Sequence, residues 1–503
     1  MLYIDEHSGT PLYQQIYEQI KAAIQSGELS TGDKLPATRE LAKMLAVGRN
    51  TVENSYQQLL VEGYVCSKPG SGYIVTDVAD EMFQNPRKTR KNIGRQIDET
   101  RAPGHAGGAG CYPPAPGDEG GAGRYPPAPG DEGRADGYPP VRYDFHFKNM
   151  DSELFPHNLW RKYSVQVLSY YKNNRITSYN DYQGEYGLRQ EISKSLYRLR
   201  GVECDADQIS ICCGLQIALE KIYNLLPEEY HHVGMEEPGY DAARLMFEYK
   251  NFPITPIPVG PYGDFIKTLR DSPARTLFLT PSHQFPTGLI MPISIRYQVL
   301  KWAYDNDGYI IEDDYDSEYR YNTRPIPALQ SIDTDERVIY IGTFSKVLSP
   351  SLRISYMVMP KHMAPLYRYV YRGLHPTTPW LQQEILALFM KDGQLEKHMR
   401  KCFHQYKERH NCVIQEINRN FGDRVKIIGH NSGLHILLMV KGAASQEELI
   451  HKARKHGVKV YPTTPYWMVP ENCPKDLVMV GYAQLGVEEI KAGIRLLKDA
   501  WLA

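Results

Sequence analysis

The segment YIGTFSKVLSPSLRISYMV (residues 340–358) holds residues able to do carbonyl chemistry. An apolar β-type run ends in Gly342-Thr343-Phe344-Ser345, Lys346 follows, and Arg353 comes seven residues later. Most lysines are solvated surface charges. One set between apolar strands is desolvated, its pKa falls, and its free amine can condense with a carbonyl to give an imine. Upstream, GYIIEDDYDSEYRY (308–321) runs a strand directly into a carboxylate cluster. A carboxylate at the end of a buried strand can protonate a pyridine nitrogen and make the ring an electron sink. A nearby phenol can hydrogen-bond that ring's 3-oxygen. In ISICCGLQIALEKIYNLL (209–226), Gly214 stands at a strand-to-helix turn, where a helix N-terminus suits a phosphate.

These segments need a scaffold. TLFLT, GYIIED, RVIYIGT, RISYMVM, LHILLMV and LVMVGYA read as short strands, and stretches such as LRQEISKSLYRL and WLQQEILALFM read as helices between them. That alternation predicts an α/β layered fold with a largely parallel sheet.

The N-terminal stretch follows another grammar. Leu12, Ile16, Ile20 and Ile24 recur every four residues, predicting an amphipathic helix that ends near Gly27. A second helix is expected after Pro36, from Ala37-Thr38-Arg39-Glu40, and a third from Arg49, with Val52, Tyr56 and Leu59 inward. Two helices across a tight turn at Val47-Gly48 give a helix-turn-helix. The first turn of the third helix carries Arg49, Asn50 and Thr51, where side chains reach base edges. GYVCSKPGSGYIVT then reads as a hairpin wing about Pro69-Gly70-Ser71-Gly72.

Between these units, residues 102–140 include 20 Gly and Pro among 39, and YPPAPGDEG occurs twice, at Tyr112 and Tyr125. A 13-residue period so poor in apolar side chains builds no solenoid, so the tract reads as a linker of roughly 35 Å root-mean-square span. PRKTRKNIGR (86–95) adds five basic residues just before it. The expected division is 1–78 for the reader, 79–142 for the linker and 143–503 for the large unit, with a small subdomain from about 365.

Across 503 residues, 58 Lys and Arg face 59 Asp and Glu, a net charge of -1 that excludes a protein coating polyanions along its length. Residues 1–77 carry six basic and nine acidic residues, so DNA binding must rest on placed side chains, paired readers or the basic linker segment. The eight Cys show no repeated C-x-x-C spacing and read as reduced thiols, with no metal site. Neither a membrane-spanning run nor a secretory start is visible, and a cytoplasmic protein is expected.

Residues 10–76, through LPATRELA, RNTV, EGY and GSG, resemble the winged helix-turn-helix domain of the GntR family of bacterial regulators. The resemblance implies that Arg39, Arg49, Thr51, Gly70 and Gly72 approach DNA, with Asn50 and Ser71 beside them. Gly48 replaces the usual Ser, a weaker N-cap, and Ala37 replaces a Ser of the second helix. Residues 144–500 resemble fold-type I pyridoxal-phosphate (PLP) enzymes of the aminotransferase class. Carried over by motif, Lys346 is the Schiff-base lysine, Asp313 pairs with the pyridine nitrogen and Tyr315 faces the 3-oxygen. Arg353, Thr343 and Ser345 hold the phosphate with the backbone near Gly214 and Gln216. Tyr240 stacks on the ring, SHQFPTG (282–288) is the substrate-side loop, and YNDYQGEYGLR fits the usual YxDxxGxxxLR. The fusion, with EDDYDSE and GTFSK, resembles the MocR/GabR regulators and implies a head-to-tail, domain-swapped homodimer on operator DNA.

Several positions depart from that pattern. No Arg occurs between Asp476 and Lys491, where aminotransferases clamp the substrate carboxylate. Asp241-Ala242-Ala243 lacks an Arg seen in the GABA-responsive member, though Arg244 is close, and Leu215 stands where Ser is common. These departures argue against efficient transamination. Three ligands stay open: an amine, a carboxylate held by another Arg, or PLP itself. A regulator that senses its ligand through Lys346 with little or no turnover is expected. The rivals are a working aminotransferase with a secondary reader, and a cofactor-free DNA-binding scaffold.

Overall fold

The computed structural model describes residues 2–5, 8, 10–68, 72–76, 138–170, 175–260, 262–321, 326–374 and 378–502. The basic segment, both YPPAPGDEG copies, Gly70 and Ser71 lie outside the described residues.

The N-terminal unit is built from α1 (Leu12–Gln25), α2 (Thr38–Met44), α3 (Arg49–Glu62), β1 (Val65–Lys68) and β2 (Gly72–Val75). Ile16, Ile20 and Ile24 of α1 are buried together with Val52, Tyr56 and Leu59 of α3, so the four-residue period does form the inner stripe. Gly48 caps α3 without a side-chain bond. β1 and β2 pair antiparallel from Val65↔Val75 to Lys68↔Gly72. Gln57 of α3 donates to the Tyr73 hydroxyl at 3.0 Å, fastening the hairpin to the third helix.

The large unit opens with β3 (Tyr143–Asp144), α4 (His157–Tyr170) and α5 (Tyr186–Arg200). Its main sheet uses β4 (Ile209–Cys212), β5 (Val233–Glu237), β6 (Ile254–Pro258), β7 (Thr276–Leu279), β8 (Tyr309–Asp314), β9 (Val338–Thr343) and β10 (Ser355–Val358) in the order β4-β10-β9-β8-β7-β5-β6. β10 runs antiparallel to both neighbours, while β6, β5, β7, β8 and β9 are mutually parallel. The intervening helices are α6 (Leu215–Leu225), α7 (Asp241–Tyr249), α8 (Tyr262–Asp271), α9 (Ile293–Asp305), α10 (Met363–Tyr371) and α11 (Trp380–Lys391). Every residue of β8 is buried, as a central strand covered on both faces requires. Ile311 joins the core under α6, α7 and α10, while Ile310 joins the one under α8 and α9.

The C-terminal layer comprises α12 (Gln394–Phe421), β11 (Val425–Ile428), β12 (His435–Val440), α13 (Gln446–Lys455), β13 (Val458–Lys459), β14 (Tyr461–Pro462), β15 (Leu477–Gly481) and α14 (Val487–Leu502). Its sheet has the order β11-β12-β15-β14. α11 packs with the large sheet, and the C-terminal core gathers from Cys402 of α12 onward. β3 pairs with β13, Tyr143 opposite Val458, so the chain entering from the linker first joins this layer.

The two units share one apolar cluster: Tyr64 and Leu59 of the reader fall with Ile293, Tyr297 and Leu300 of α9.

Candidate cofactor site and DNA-reading surface

The carboxyl ends of the parallel strands are where open α/β sheets bind ligands. There, a cavity of about 290 Å³ lies between the main sheet and the C-terminal layer. All nine residues expected at the cofactor, Gly214, Gln216, Tyr240, Asp313, Tyr315, Thr343, Ser345, Lys346 and Arg353, line it.

Asp313 and Asp314 end β8 on opposite faces. Asp314 turns away and takes Arg200 Nε at 2.7 Å and the Tyr340 hydroxyl at 2.6 Å. Asp313 faces the cavity; burial, then Asp314, Asp316 and Glu236, push its carboxyl up to about 8. Glu236 itself is pushed up to about 7 by burial, although Thr280 N–H and O–H both bond its Oε2. Lys346 follows β9 and donates to the Phe147 and Lys148 carbonyls at 3.1 and 3.3 Å. Burial holds its amine down at about 8, with Lys148 adding to the shift and Asp316 opposing it. That is the environment the apolar flanks of the lysine predict.

At the opposite wall, Gly214 (φ 88°) precedes α6, and a Cβ there would lie 2.0 Å from Arg353 Nη2. Arg353 occupies the left-handed region at φ 52°, a strained state for a long side chain, and its Nη2 bonds the Cys213 carbonyl at 3.2 Å. Thr343 Oγ1 accepts from Ser345 N–H at 3.1 Å, bringing both hydroxyls to the same end. Together these groups form an anion cradle at a helix N-terminus.

Sequence reasoning named the loop SHQFPTG but missed His283, which lies 2.8 Å from Asp316 and 2.9 Å from the Tyr315 hydroxyl. It also missed His435, which lines the cavity and which burial, reinforced by His283, pushes down to about 4. Arg244, a candidate carboxylate clamp, is turned to the Pro465 carbonyl at 2.9 Å and to Glu248 at 3.5 Å. YNDYQGEYGLR proves architectural. Arg189 ties Gly184, Ala206 and Asp181 together, and a Cβ on Gly184 would meet Ile211 at 2.3 Å.

On the reader, Arg39, Arg49, Asn50 and Gly72 are exposed and Thr51 is half-buried at the start of α3. Arg49 lies 3.8 Å from Glu53, a loose surface contact that leaves its guanidinium free for DNA.

The described cysteines are unbridged, and no His/Cys/Asp/Glu group among the described residues is placed to hold a metal. No helix among them is long and apolar enough to cross a membrane.

Fold and site define a class: a winged helix-turn-helix joined to an aminotransferase-like domain. Residues 12–75 match the profile of "Bacterial regulatory proteins, gntR family". The chain is 37% identical to the HTH-type transcriptional regulator YdeL of Bacillus subtilis (strain 168), over 98% of this chain and 97% of that one. It is 31% identical to the probable rhizopine catabolism regulatory protein MocR of Rhizobium meliloti, over 100% and 96%. Among solved structures, it is similar to LysN, the alpha-aminoadipate aminotransferase of Thermus thermophilus, complexed with N-(5'-phosphopyridoxyl)-L-leucine. That likeness covers 71% of this chain and 92% of that one, with 24% identity and a TM-score of 0.63, and it carries the fold alone. The chain belongs to the MocR-type HTH transcriptional regulators, and its role is transcription regulation through a GntR-type reader.

Proposed function

We propose that the aminotransferase-like domain binds PLP through Lys346 and that the cofactor's state sets how the readers engage operator DNA. The observation that carries this reading is the convergence of Lys346, Asp313 and the Gly214–Arg353 cradle on one cavity. The residues fit the group. A phosphate suits the cradle, where the missing Cβ of Gly214 lets the Arg353 guanidinium close on the N-terminus of α6. A protonated pyridine nitrogen suits Asp313, whose raised carboxyl has only carboxylates as charged neighbours among the described residues. Tyr315, which burial keeps protonated, is left to donate to a ring oxygen. Bound PLP supplies an aldehyde for amines and an electron-withdrawing ring. Lys346, with its lowered pKa, offers the free amine that such an aldehyde takes.

Among the described lining residues the guanidinium is Arg353, and it belongs to the cradle. Among the described lining residues an α-amino acid therefore meets no second guanidinium for its carboxylate. This favours PLP or a vitamer as the sensed molecule, with simple amines as competitors for the aldehyde. The loop that carries His283 and Gln284 leads through Met291 to the start of α9, where the reader is docked. Arg296 binds that span together, donating to the Met291 carbonyl at 3.0 Å and the Pro281 carbonyl at 2.9 Å. A ligand that moves the loop thus biases the reader's seat. In a head-to-tail, domain-swapped homodimer the same seat on α9 would receive the reader of the other copy, and two acidic readers would share one operator in the cytoplasm, which answers their net negative charge.

A PLP titration of purified protein tests the reading. A visible absorbance band is expected, and it is lost in Lys346→Ala. Sustained turnover of an amino donor with a keto acid, at ordinary enzyme rates, contradicts it in favour of an enzyme.

A further inference from the structure

His283 has no part in the cofactor contacts drawn above, yet it is fixed beside Tyr315. Its Nδ1 lies 2.8 and 3.0 Å from the two carboxylate oxygens of Asp316, and the Tyr315 hydroxyl is 2.9 Å from the same nitrogen. Both side chains of the dyad are 2% exposed. Nε2 is buried and has no hydrogen-bond partner among the described residues. The ring cannot swing. A Cβ on Gly433 would lie 2.0 Å from its Cε1, and the Tyr321 and Tyr482 hydroxyls pin the Gly433 carbonyl. His435 closes another side, with ring centroids 5.5 Å apart.

Between the two neutral tautomers, the hydrogen bonds favour one. An ionised carboxylate only accepts, so the contact with Asp316 requires the proton on Nδ1. The other tautomer would bury an unpaired Nε2–H and set a nitrogen lone pair against the carboxylate. With Nδ1 protonated, the Tyr315 oxygen can accept from His283 but cannot donate to it. Its own proton must go elsewhere, and the remaining acceptor space lies on the cavity side, where Asp313 and Lys346 also face.

We propose that His283, locked in the Nδ1–H form by Asp316, is a positioning residue that turns the Tyr315 hydroxyl proton into the cavity, toward the 3-oxygen of bound PLP. The inference rests on the PLP reading for its target and on this chain alone for the tautomer. A donated proton stabilises the anionic 3-oxygen, and so lowers the pH at which the visible band of the loaded protein converts.

Two measurements test it. In full-length, PLP-free protein labelled with ¹⁵N-histidine, the His283 signals, assigned by their loss in His283→Asn, should show a protonated Nδ1 and a bare Nε2. Asp316→Asn, which substitutes an amide able to donate, should invert that pattern. An Nε2–H tautomer in the unaltered protein overturns the proposal. In PLP-loaded protein, His283→Phe, which removes the ring N–H without changing the charge of Asp316, and Tyr315→Phe should each raise the pH midpoint of the visible band by about one pH unit. Combining them should add nothing further, because both act on one proton. Additive shifts, or no shift in His283→Phe, overturn the proposal. A protein that forms no visible band contradicts the PLP reading instead, and the ring-nitrogen pattern then decides the dyad alone.

Discussion

Gly63, which ends the third helix of the reader at φ 80°, sits so close to Pro292 that a Cβ on it would lie 2.8 Å from the proline Cβ. Pro292 is the N-cap of α9, the helix whose first turns reach back to the cofactor-side loop. The contact lies beside Glu62, a buried carboxylate bonded by the Tyr17 hydroxyl at 2.8 Å and raised by burial. Pro292→Asp keeps a good N-cap for α9 but sets a new negative charge against Glu62. The joint should lose roughly 1–3 kcal/mol. Calorimetry should then resolve a separate, earlier reader transition. A single transition at the unaltered temperature would show that this contact does not join the units.

Lys346 predicts a pH dependence of cofactor capture. Its amine is held at about 8, so the unprotonated fraction should rise about tenfold per pH unit below that value and level off above it. Stopped-flow growth of the visible band after mixing with PLP measures the profile. A rate still climbing steeply above pH 9 would place the lysine in ordinary solvent.

Asp313 predicts the stability of the PLP-free protein. Its carboxyl is raised from 3.8 to about 8, so across that window the folded protein holds a proton that the unfolded chain has lost. Stability from this group is therefore full at low pH and is lost as pH climbs through about 8. Urea midpoints should fall from pH 5 to pH 8 in PLP-free protein, and the slope should flatten in Asp313→Asn. PLP, by partnering the carboxylate, should flatten it as well. An unchanged slope in the variant contradicts the assignment.

Gly214→Ala tests the cradle. The added carbon would fall 2.0 Å from Arg353 Nη2, and the backbone at φ 88°, ψ 172° disfavours alanine by about 1–3 kcal/mol on its own. PLP affinity, read from the visible band, should drop at least about tenfold, with α6 still folded. Unaltered affinity would place the phosphate elsewhere.

The reading surface makes a separate prediction. Arg49→Ala should cost about 1–3 kcal/mol at the operator and relax its sequence preference, as loss of a base contact does. Arg39→Ala should weaken binding evenly across sequences and lower the salt slope by about one. Fluorescence anisotropy at several salt concentrations separates the two. Equal effects on both counts would mean that neither arginine reads bases.

The order of residues along single elements made much of this structure legible. Ile16, Ile20 and Ile24 repeat on one helical face, an apolar run leads into the carboxylate cluster at Asp313 and another ends before Lys346, and the family resemblance then picked out those two residues. Contacts between distant segments were not legible. His283 meets Asp316 across 33 residues and Arg200 meets Asp314 across 114, and both depend on how loops cross the strand ends. The pairing of Tyr143 and Asp144, at the start of the large unit, was not legible, because a two-residue strand leaves no periodic signal and its partner Val458 comes from the far end of the chain. The linker repeats were legible as composition alone.

Control of operator binding by PLP on Lys346 can be read directly. Operator affinity of the full-length protein should be measured with and without saturating PLP, in unaltered protein and in Lys346→Ala. Adding PLP should change the affinity at least about fivefold, the lower end of ordinary coupling between sites, and should leave the variant unchanged. Equal affinity with and without PLP in the unaltered protein would contradict it.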